Sequence, residues 1–599
     1  MYVTRACDCC KRRKVKCDSA DPCASCQTSR IPCRYTIIPQ KRGRASQRPA
    51  ASLSLPSSPT TPQSSTSSDA AAAINSAAWS NSPSNSQSII IVDSTATSHP
   101  PLSPHEAGTG TVALSIPISP AADEPSSAAT RILTNLVQQV DCLLTKENTA
   151  QLVTKCVDLF MMFLFPNTPV CHEPTLRAGI SIFQLRTIMS SPADTVESSL
   201  VAQQPEALLQ LGMEKHFTLL TALCALVLSV APESYIPQKA VLALLFLKAS
   251  RAMLQAYQEI DLESPDWTSL IIRVWQSSAT QNATGRNGEA NHYYGEAEML
   301  ALRLRLYDES SVIRESTIES QLLRSIFWLL YLSDKSATAL DDRLCIINER
   351  VFDGELTLLE RGNEEVPLLD MKKTINLSPL ENQVQEGFVL KRHITSAAVD
   401  IITALKPSRR IQAHLSSQCQ TEAAVGEVHG TNASKLTDLY LEFACLIDSF
   451  PRWLRSPDQY LDRFPDADGA HYQKMCFWAQ RSSIMTTFHS LKLVILQKCI
   501  DHGAPEVMGL DHNKFSQHLK KIDLARDFLA ELQLAPFQCI KMQGEPAVQR
   551  LRKVGSIILE VVHNASNESI KTRAQSQLVQ LLDVLAQLDS KASDGLRGQ

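Results

Sequence analysis

Between residues 49 and 130 the chain has not one Lys or Arg. Ser, Pro, Ala and Thr dominate there, and such a stretch cannot bury enough apolar surface to offset the entropy of ordering it. A disordered Ser/Pro/Ala-rich linker is the expectation for 49–127. Its five Ser/Thr-Pro pairs (Ser58-Pro59, Thr61-Pro62, Ser82-Pro83, Ser103-Pro104 and Ser119-Pro120) are candidate sites for proline-directed phosphorylation. No sustained heptad runs between residues 45 and 125, which argues against a zipper there. Long apolar runs are missing as well. The longest candidate, 219–230, falls short of the ~20 residues a bilayer-spanning helix needs and reads as a buried helix, so no membrane partner is expected. Alternating strand patterns are scarce, which speaks against a sheet-based architecture. There is no G-x-S-x-G, no P-loop, no H-E-x-x-H and no G-x-G-x-x-G, and His172-Glu173 reads as a dipeptide in a turn rather than part of a metal helix. With those motifs absent, the chain is expected not to be an enzyme.

Cysteine, by contrast, is present and ordered. Of seventeen Cys, six fall as Cys7-x2-Cys10-x6-Cys17-x5-Cys23-x2-Cys26-x6-Cys33. A Cys-x2-Cys pair lets two sulfurs converge at about 2.3 Å from one zinc ion. The stretch is two like halves, each a close pair, six residues and one more cysteine. Each half offers three thiolates, and a tetrahedral zinc needs four. Two ions therefore have more positions to fill than there are sulfurs, and the count closes if two cysteines bridge both metals. Repeat symmetry nominates the first of each half, Cys7 and Cys23. A disulfide framework fits poorly without a secretory signal. A redox Cys-x-x-Cys lacks its βαβ surroundings, and iron–sulfur clusters use other spacings. Cys9, next to Cys10, points elsewhere and reads as a spectator thiol. The remaining cysteines are scattered, as in a reducing compartment.

Charge separates this end from the rest. Residues 1–48 hold twelve Lys and Arg against Asp8, Asp18 and Asp21, a net of +9, while the whole chain is −4 by formal count. Two zincs and six thiolates would lower the module by about two charges. A small positive module on an otherwise acidic chain reads as a nucleic-acid end. Lys and Arg neutralise phosphates and release counterions, which makes affinity salt-dependent.

The spacing, the basic run Lys11-Arg12-Arg13-Lys14-Val15-Lys16 between the second and third of the six cysteines, and Pro22 before the fourth resemble the Zn2Cys6 binuclear cluster of fungal transcription factors. Cys33-Arg34-Tyr35 and Pro39-Gln40-Lys41-Arg42-Gly43-Arg44 are most similar to the tails of the yeast maltose activators and related carbon-source regulators. The resemblance covers about the first 45 residues. It implies two Zn2+ per chain, double-stranded DNA with CGG promoter motifs as partner, and a nuclear location. It implies that Lys14 reaches guanine acceptors in the major groove, with Arg13 as a second basic contact. Lys11, Arg12 and Lys16 are expected on phosphates. Lys41, Arg42 and Arg44 continue the DNA contact, serve nuclear import, or do both.

After residue 128 the pattern is helical: 136–165, 216–230, 239–257, 290–306, 319–340, 436–450, 477–502, 516–534, 547–563 and 575–588 are expected helices. The fold class is a small binuclear cluster domain (1–48), the linker, and a large all-α region (128–599). A stripe of Ile132, Leu133, Leu136, Val140 and Leu143 offers about two heptads for pairing, so a homodimer is open. Phe165-Pro166 with His172-Glu173-Pro174-Thr175, then Tyr294-Gly295-Glu296-Ala297, then Arg324-Ser325-Ile326-Phe327-Trp328 with Tyr331 and Asp334-Lys335, are similar to the fungal-specific regulatory domain that follows such clusters. Asp342-Arg343-Leu344 stands where that domain carries Gly-Arg-Pro. Phe327 and Trp328 are expected as core aromatics and Arg324 as a helix-end or ion-pair residue. The reading that follows is a pathway-specific transcription factor that recruits co-regulators or the transcription machinery. Family base rates point to a secondary-metabolite gene cluster. Carbon-source use, and a non-activating partner or repressor, are the alternatives.

Overall fold

Apolar residues recurring every three or four positions commit the long C-terminal part of the chain to helices, and local end signals decide where each stops. The computed structural model describes residues 7, 10, 17–20, 22–29, 33, 128–187, 206–341, 344–347, 352, 356–370, 380–405, 422–461, 469–588 and 590–591. Among them every regular element is helical and there is no strand. The linker expected at 49–127 and its Ser/Thr-Pro pairs lie outside the described residues.

The chain divides into two compact units, Met1–Ser76 and Ala77–Gln599. The first holds one described helix, α1 (Ala24–Thr28). The second runs α2 (Ala128–Leu143), α3 (Thr149–Leu159), α4 (Glu173–Gly179), α5 (Glu206–Val230), α6 (Lys239–Glu263), α7 (Trp267–Thr284), α8 (Asn287–Arg303), α9 (Glu309–Val312) and α10 (Thr317–Asp341). It continues with α11 (Leu380–Leu405), α12 (Glu422–Cys445), α13 (Arg452–Arg455), α14 (Pro457–Leu461), α15 (Ala470–Asp501), α16 (Lys514–Leu534), α17 (Phe537–Lys541), α18 (Glu545–Asn564) and α19 (Glu568–Leu588).

The axis of this second unit is α15, a 32-residue helix. Buried residues such as Phe477, Met485, Leu493 and Val494 stand on all its sides, so it lacks the one-sided apolar stripe of a surface helix. α11, α16, α18 and the end of α3 pack around it, while α5, α6, α7 and α8 form a neighbouring layer.

The apolar run expected as one helix over 136–165 is two. Asn148 breaks it: its side chain accepts from the Gln151 N–H at 2.9 Å while the Gln151 side chain accepts from the Asn148 N–H at 2.9 Å, a capping box that starts α3. α3 then widens into a π turn (Phe160–Leu164) and tightens into a 3-10 turn (Phe165–Asn167). The carbonyls this irregularity leaves over are taken by α15, with Tyr472 donating to Met161 at 3.2 Å and Gln480 to Pro166 at 2.6 Å.

Two expectations are corrected. The apolar run at 219–230 is not short: it belongs to the 25-residue α5. Thr149–Asn167, Gln210–Val230 and Lys239–Glu263 are long and apolar enough to cross a membrane by length and composition. In this structure Leu219, Leu220, Leu223 and Val227 of α5 are buried in the protein's own core. The stripe on α2 is likewise spent within the chain: Leu136, Val137 and Val140 are buried, Ile132, Leu133 and Leu143 pack against the same core, and α2 lies on α6. A homodimer would have to pair through another surface.

α7 and α11 lie outside the expected helices. The heptad-like face of α7 carries Ser269, Arg273, Gln276 and Thr280, all fully buried and polar, where a hydrophobic pattern looks for Leu or Val. The expected aromatic cluster is in place. Phe327 and Trp328 are buried, and Arg324, also buried, pairs with Glu309 of α9. Asp334 accepts from the N–H groups of Ile346 and Ile347, both at 2.8 Å, and so ties down the segment after α10. His172 stands at the N-cap of α4 with Nδ1 2.7 Å from Thr175 Oγ1, and Glu173 is the first residue of that helix where a turn was expected.

Candidate metal centre

Among the described residues, six sulfurs and no other apolar side chain make up the interior of the first unit. Cys7, Cys10, Cys17, Cys23 and Cys26 are buried, Cys33 packs against them half-buried, and no other side chain joins the cluster among the described residues. A module this small has no hydrocarbon core to fold around.

The two halves of the motif repeat in three dimensions. The Cys10 N–H donates to Cys7 Sγ at 3.4 Å, and the Cys26 N–H donates to Cys23 Sγ at 3.4 Å. The Cys7 N–H donates to Cys17 Sγ at 3.5 Å, and the Cys23 N–H donates to Cys33 Sγ at 3.4 Å. Each close pair is thus folded by its own first cysteine, and the third sulfur of each half is drawn back to that same residue. In the second half the device is a helix start. Cys23 is extended (φ −68°, ψ 148°) and caps α1 through its sulfur.

Between the halves, Ser19 takes a left-handed conformation (φ 63°) and Asp18 holds the turn. The Asp18 carboxylate accepts from the Ala24 N–H at 3.1 Å and the Ala20 N–H at 3.3 Å. Those donors hold its carboxyl below the usual range. In the sequence Asp18 counted only as a negative charge. The signal available was an Asp directly after Cys17 in a short connection, a position suited to side-chain capping of the next turn.

The sulfurs fall into two groups of four, Cys7, Cys10, Cys17, Cys23 and Cys7, Cys23, Cys26, Cys33, with all ligand atoms in each group within 4.8 Å of one another. The groups share Cys7 and Cys23. Their sulfurs stand 3.7 Å apart, with Cys7 to Cys26 at 3.6 Å and Cys10 to Cys23 at 3.5 Å. A tetrahedron with metal–sulfur bonds of about 2.3 Å has edges of about 3.8 Å, so these separations suit zinc. They are far longer than the ~2.05 Å of a disulfide, and all six cysteines are free. The Cys10 N–H draws the Cys7 thiol down to about 6, while burial pushes Cys10, Cys23 and Cys26 up. Buried thiols this close together ionise only with a cation between them, and a dication deprotonates coordinating thiols outright. The residues present fit two zinc ions.

Residues 5–42 match the model of the fungal Zn(2)-Cys(6) binuclear cluster domain. This segment is a zinc binuclear cluster domain. Such a domain binds two zinc ions. Over 44 residues the chain is 48% identical to the maltose fermentation regulatory protein MAL13 of Saccharomyces cerevisiae, covering 7% of this chain and 9% of that protein. It is 50% identical over 42 residues to the quinic acid utilization activator of Emericella nidulans, 7% of this chain and 5% of that one. It is 40% identical over 50 residues to the xylanolytic transcriptional activator xlnR of the same species, 8% of this chain and 6% of that one. The chain therefore spans less than a tenth of each relative it matches. Of the basic residues expected on DNA, Lys11, Arg12, Arg13, Lys14, Lys16, Lys41, Arg42 and Arg44 all lie outside the described residues, as does Cys9.

Proposed function

We propose that this protein is a nuclear, sequence-specific DNA-binding transcription factor acting on RNA polymerase II genes, and not an enzyme. The observation that carries the reading is the pair of four-sulfur groups sharing Cys7 and Cys23. In this proposal Cys7 and Cys23 bridge both zincs, Cys10 and Cys17 complete one site, and Cys26 and Cys33 complete the other. Zinc supplies the cross-links that a hydrophobic core supplies in a larger domain. Residues 1–48 form the DNA-binding domain, 49–127 the linker, and 128–599 a helical regulatory region that recruits co-regulators.

The basic run between Cys10 and Cys17 does the reading. Lys14 contacts guanine acceptors of a CGG triplet, with Arg13 beside it. Lys11, Arg12 and Lys16 hold phosphates, and Lys41, Arg42 and Arg44 extend that contact or direct nuclear import. The test is binding to CGG-containing and random duplexes across a salt series. Lys14→Ala is expected to cost about 1–3 kcal/mol of discrimination. Lys16→Ala is expected to weaken both duplexes alike and to lower the salt slope by about one unit. An unchanged specificity ratio in Lys14→Ala would remove Lys14 as the reader and leave Arg13.

The pathway read here is a secondary-metabolite gene cluster. A second reading, carbon-source utilisation, is favoured by relatives named for maltose, quinic acid and xylan. Those relatives match only the DNA-reading end, so they bear on the promoter motif before they bear on the pathway. Transcript profiling after deletion, with binding-site mapping, separates the two readings. The same experiment tests a non-activating partner or repressor, because target genes would then rise on deletion.

A further inference from the structure

Two cations line a cavity inside the helical unit, and among the described residues no carboxylate pairs with them. The cavity, about 240 Å³, lies between the ends and faces of α3, α7, α8, α10, α11, α15 and α18. Lys391 enters from α11 and Arg550 from α18. Both stand in the apolar stripes of their helices. Lys391 follows Val384 and Phe388 and precedes Ile394 and Ala398, and Arg550 lies between Ala547 and Val554, all buried. An ammonium and a guanidinium at core positions cost several kcal/mol each unless something charged meets them.

What meets them is neutral. Lys391 Nζ donates to Ser483 Oγ at 2.8 Å, and an Arg550 N–H donates to Gln543 Oε1. Arg550 Nε, buried, has no acceptor. So does the Oδ1 of Asn167, on the same cavity wall, lack a donor. Burial and then the nearby Arg550 charge draw the Lys391 ammonium down to about 7, and burial draws Arg550 down to about 10. Lys391 lies deep among packed atoms yet keeps some accessible surface, as a residue lining a cavity does.

The cavity also has two acids, and neither balances the cations. Asp334 is committed to the N–H groups of Ile346 and Ile347. Glu298 has an interaction of its own, and it forms no ion pair with Lys391 or Arg550. One end of the cavity is thus cationic, with an unused N–H donor on Arg550 and the hydroxyl residues Thr487 and Ser490 of α15 in its wall.

We propose that this cavity binds a small anion, a carboxylate or phosphate compound, held by Lys391 and Arg550. The site would make the helical unit a receptor for an anionic metabolite. It goes beyond the DNA-binding reading and does not depend on it. Polar atoms arranged around a concave site between helices are the usual setting for a small ligand, and an anion would supply the missing acceptor for Arg550 Nε.

The experiment uses the full zinc-loaded chain without DNA. Thermal unfolding of the helical unit is followed with inorganic phosphate and with citrate, against chloride at equal ionic strength. A saturable rise in Tm with at least one of the two anions, absent with chloride, is expected. Lys391→Met and Arg550→Met should each weaken that binding at least tenfold. Lys391→Met should also melt higher than the native chain when no anion is present, because it removes an unbalanced buried charge. Arg550→Lys, which keeps a cation, should bind within a few fold of the native chain. No saturable stabilisation of the native chain by either anion would overturn the proposal. So would unchanged binding in both methionine variants, since the cations would then be structural alone.

Discussion

The cluster domain and the helical unit solve the same problem with opposite means. In the first, six sulfurs take the place of a core, and their arrangement is set by four N–H···S contacts and one carboxylate brace. In the second, one continuous apolar core reaches from Leu136 to Leu588 and absorbs buried polar and ionic groups along the way. One is held by a few strong bonds whose loss is total. The other is held by many weak contacts, and the loss of one is local.

Metal removal tests the contrast most severely. Chelation should unfold the cluster domain and abolish DNA binding, since binding free energies of structural zinc run to about 10–16 kcal/mol and here serve as folding free energy. The helical unit should keep its melting transition. Elemental analysis should give two zincs per chain. The shared-ligand geometry makes a finer distinction: Cys7→Ser or Cys23→Ser should lose both ions, whereas Cys33→Ser leaves the group of Cys7, Cys10, Cys17 and Cys23 intact and should keep one. Equal zinc loss in Cys23→Ser and Cys33→Ser would break the bridging assignment.

In the helical unit the largest single effect should come from its fully buried ion pair. Arg273 and Asp261 are both 0% exposed and 2.7 Å apart, and Ser269 donates to the same Asp261 carboxylate at 2.6 Å. Arg273→Met leaves Asp261 charged and unpaired, with an expected cost of about 3–5 kcal/mol. Arg273→Met with Asp261→Leu removes both charges and should recover much of that stability. The measurement is denaturant unfolding of the three proteins. Zinc content should not change in any of them, and a change would show that the two units do not answer separately.

The same residues explain what could be read from the sequence. The grouping of the six cysteines was legible, because metal-ligand spacing is local and the repeat is symmetric. The long apolar helices were legible for the same reason: α5, α6, α10 and α15 repeat Leu, Ile and Phe at helical spacing. α7 was not, because Arg273 stands where its stripe should be apolar, and its partners Asp261 and Glu296 lie on other helices. α11 was hidden by Lys391 and Thr395 in its inward face. Buried polar groups look like solvent-facing ones until their partners are known, and those partners lie on other helices. Asp18 escaped notice on a smaller scale, as its role depends on the turn it closes.

The smallest effect expected in the helical unit concerns the start of α7, where helix capping can be separated from core packing. The Asp266 carboxylate accepts from the Thr268 N–H at 2.8 Å and the Ser269 N–H at 3.3 Å, while the Ser269 hydroxyl accepts from the Asp266 N–H at 3.0 Å. Lys215 of α5 reaches the same carboxylate at 2.7 Å. Burial raises the Asp266 carboxyl, but the Lys215 ammonium and the Thr268 donors lower it further, so its net position is below the ordinary value. A carboxyl depressed in the folded state stabilises that state above its unfolded value of about 3.9, and the contribution is lost as pH falls through the lower folded value. Asp266→Ala should therefore cost about 1–2 kcal/mol at neutral pH. The difference from the native chain should shrink once the pH falls below about 4, with denaturant unfolding at pH 7 and in acid as the measurement. Asp266→Asn should lose less than Asp266→Ala, since an amide oxygen still caps α7 and only the Lys215 pair is gone. A cost that persists unchanged in acid would mean that Asp266 acts through packing rather than charge, and the capping account of α7 would fail.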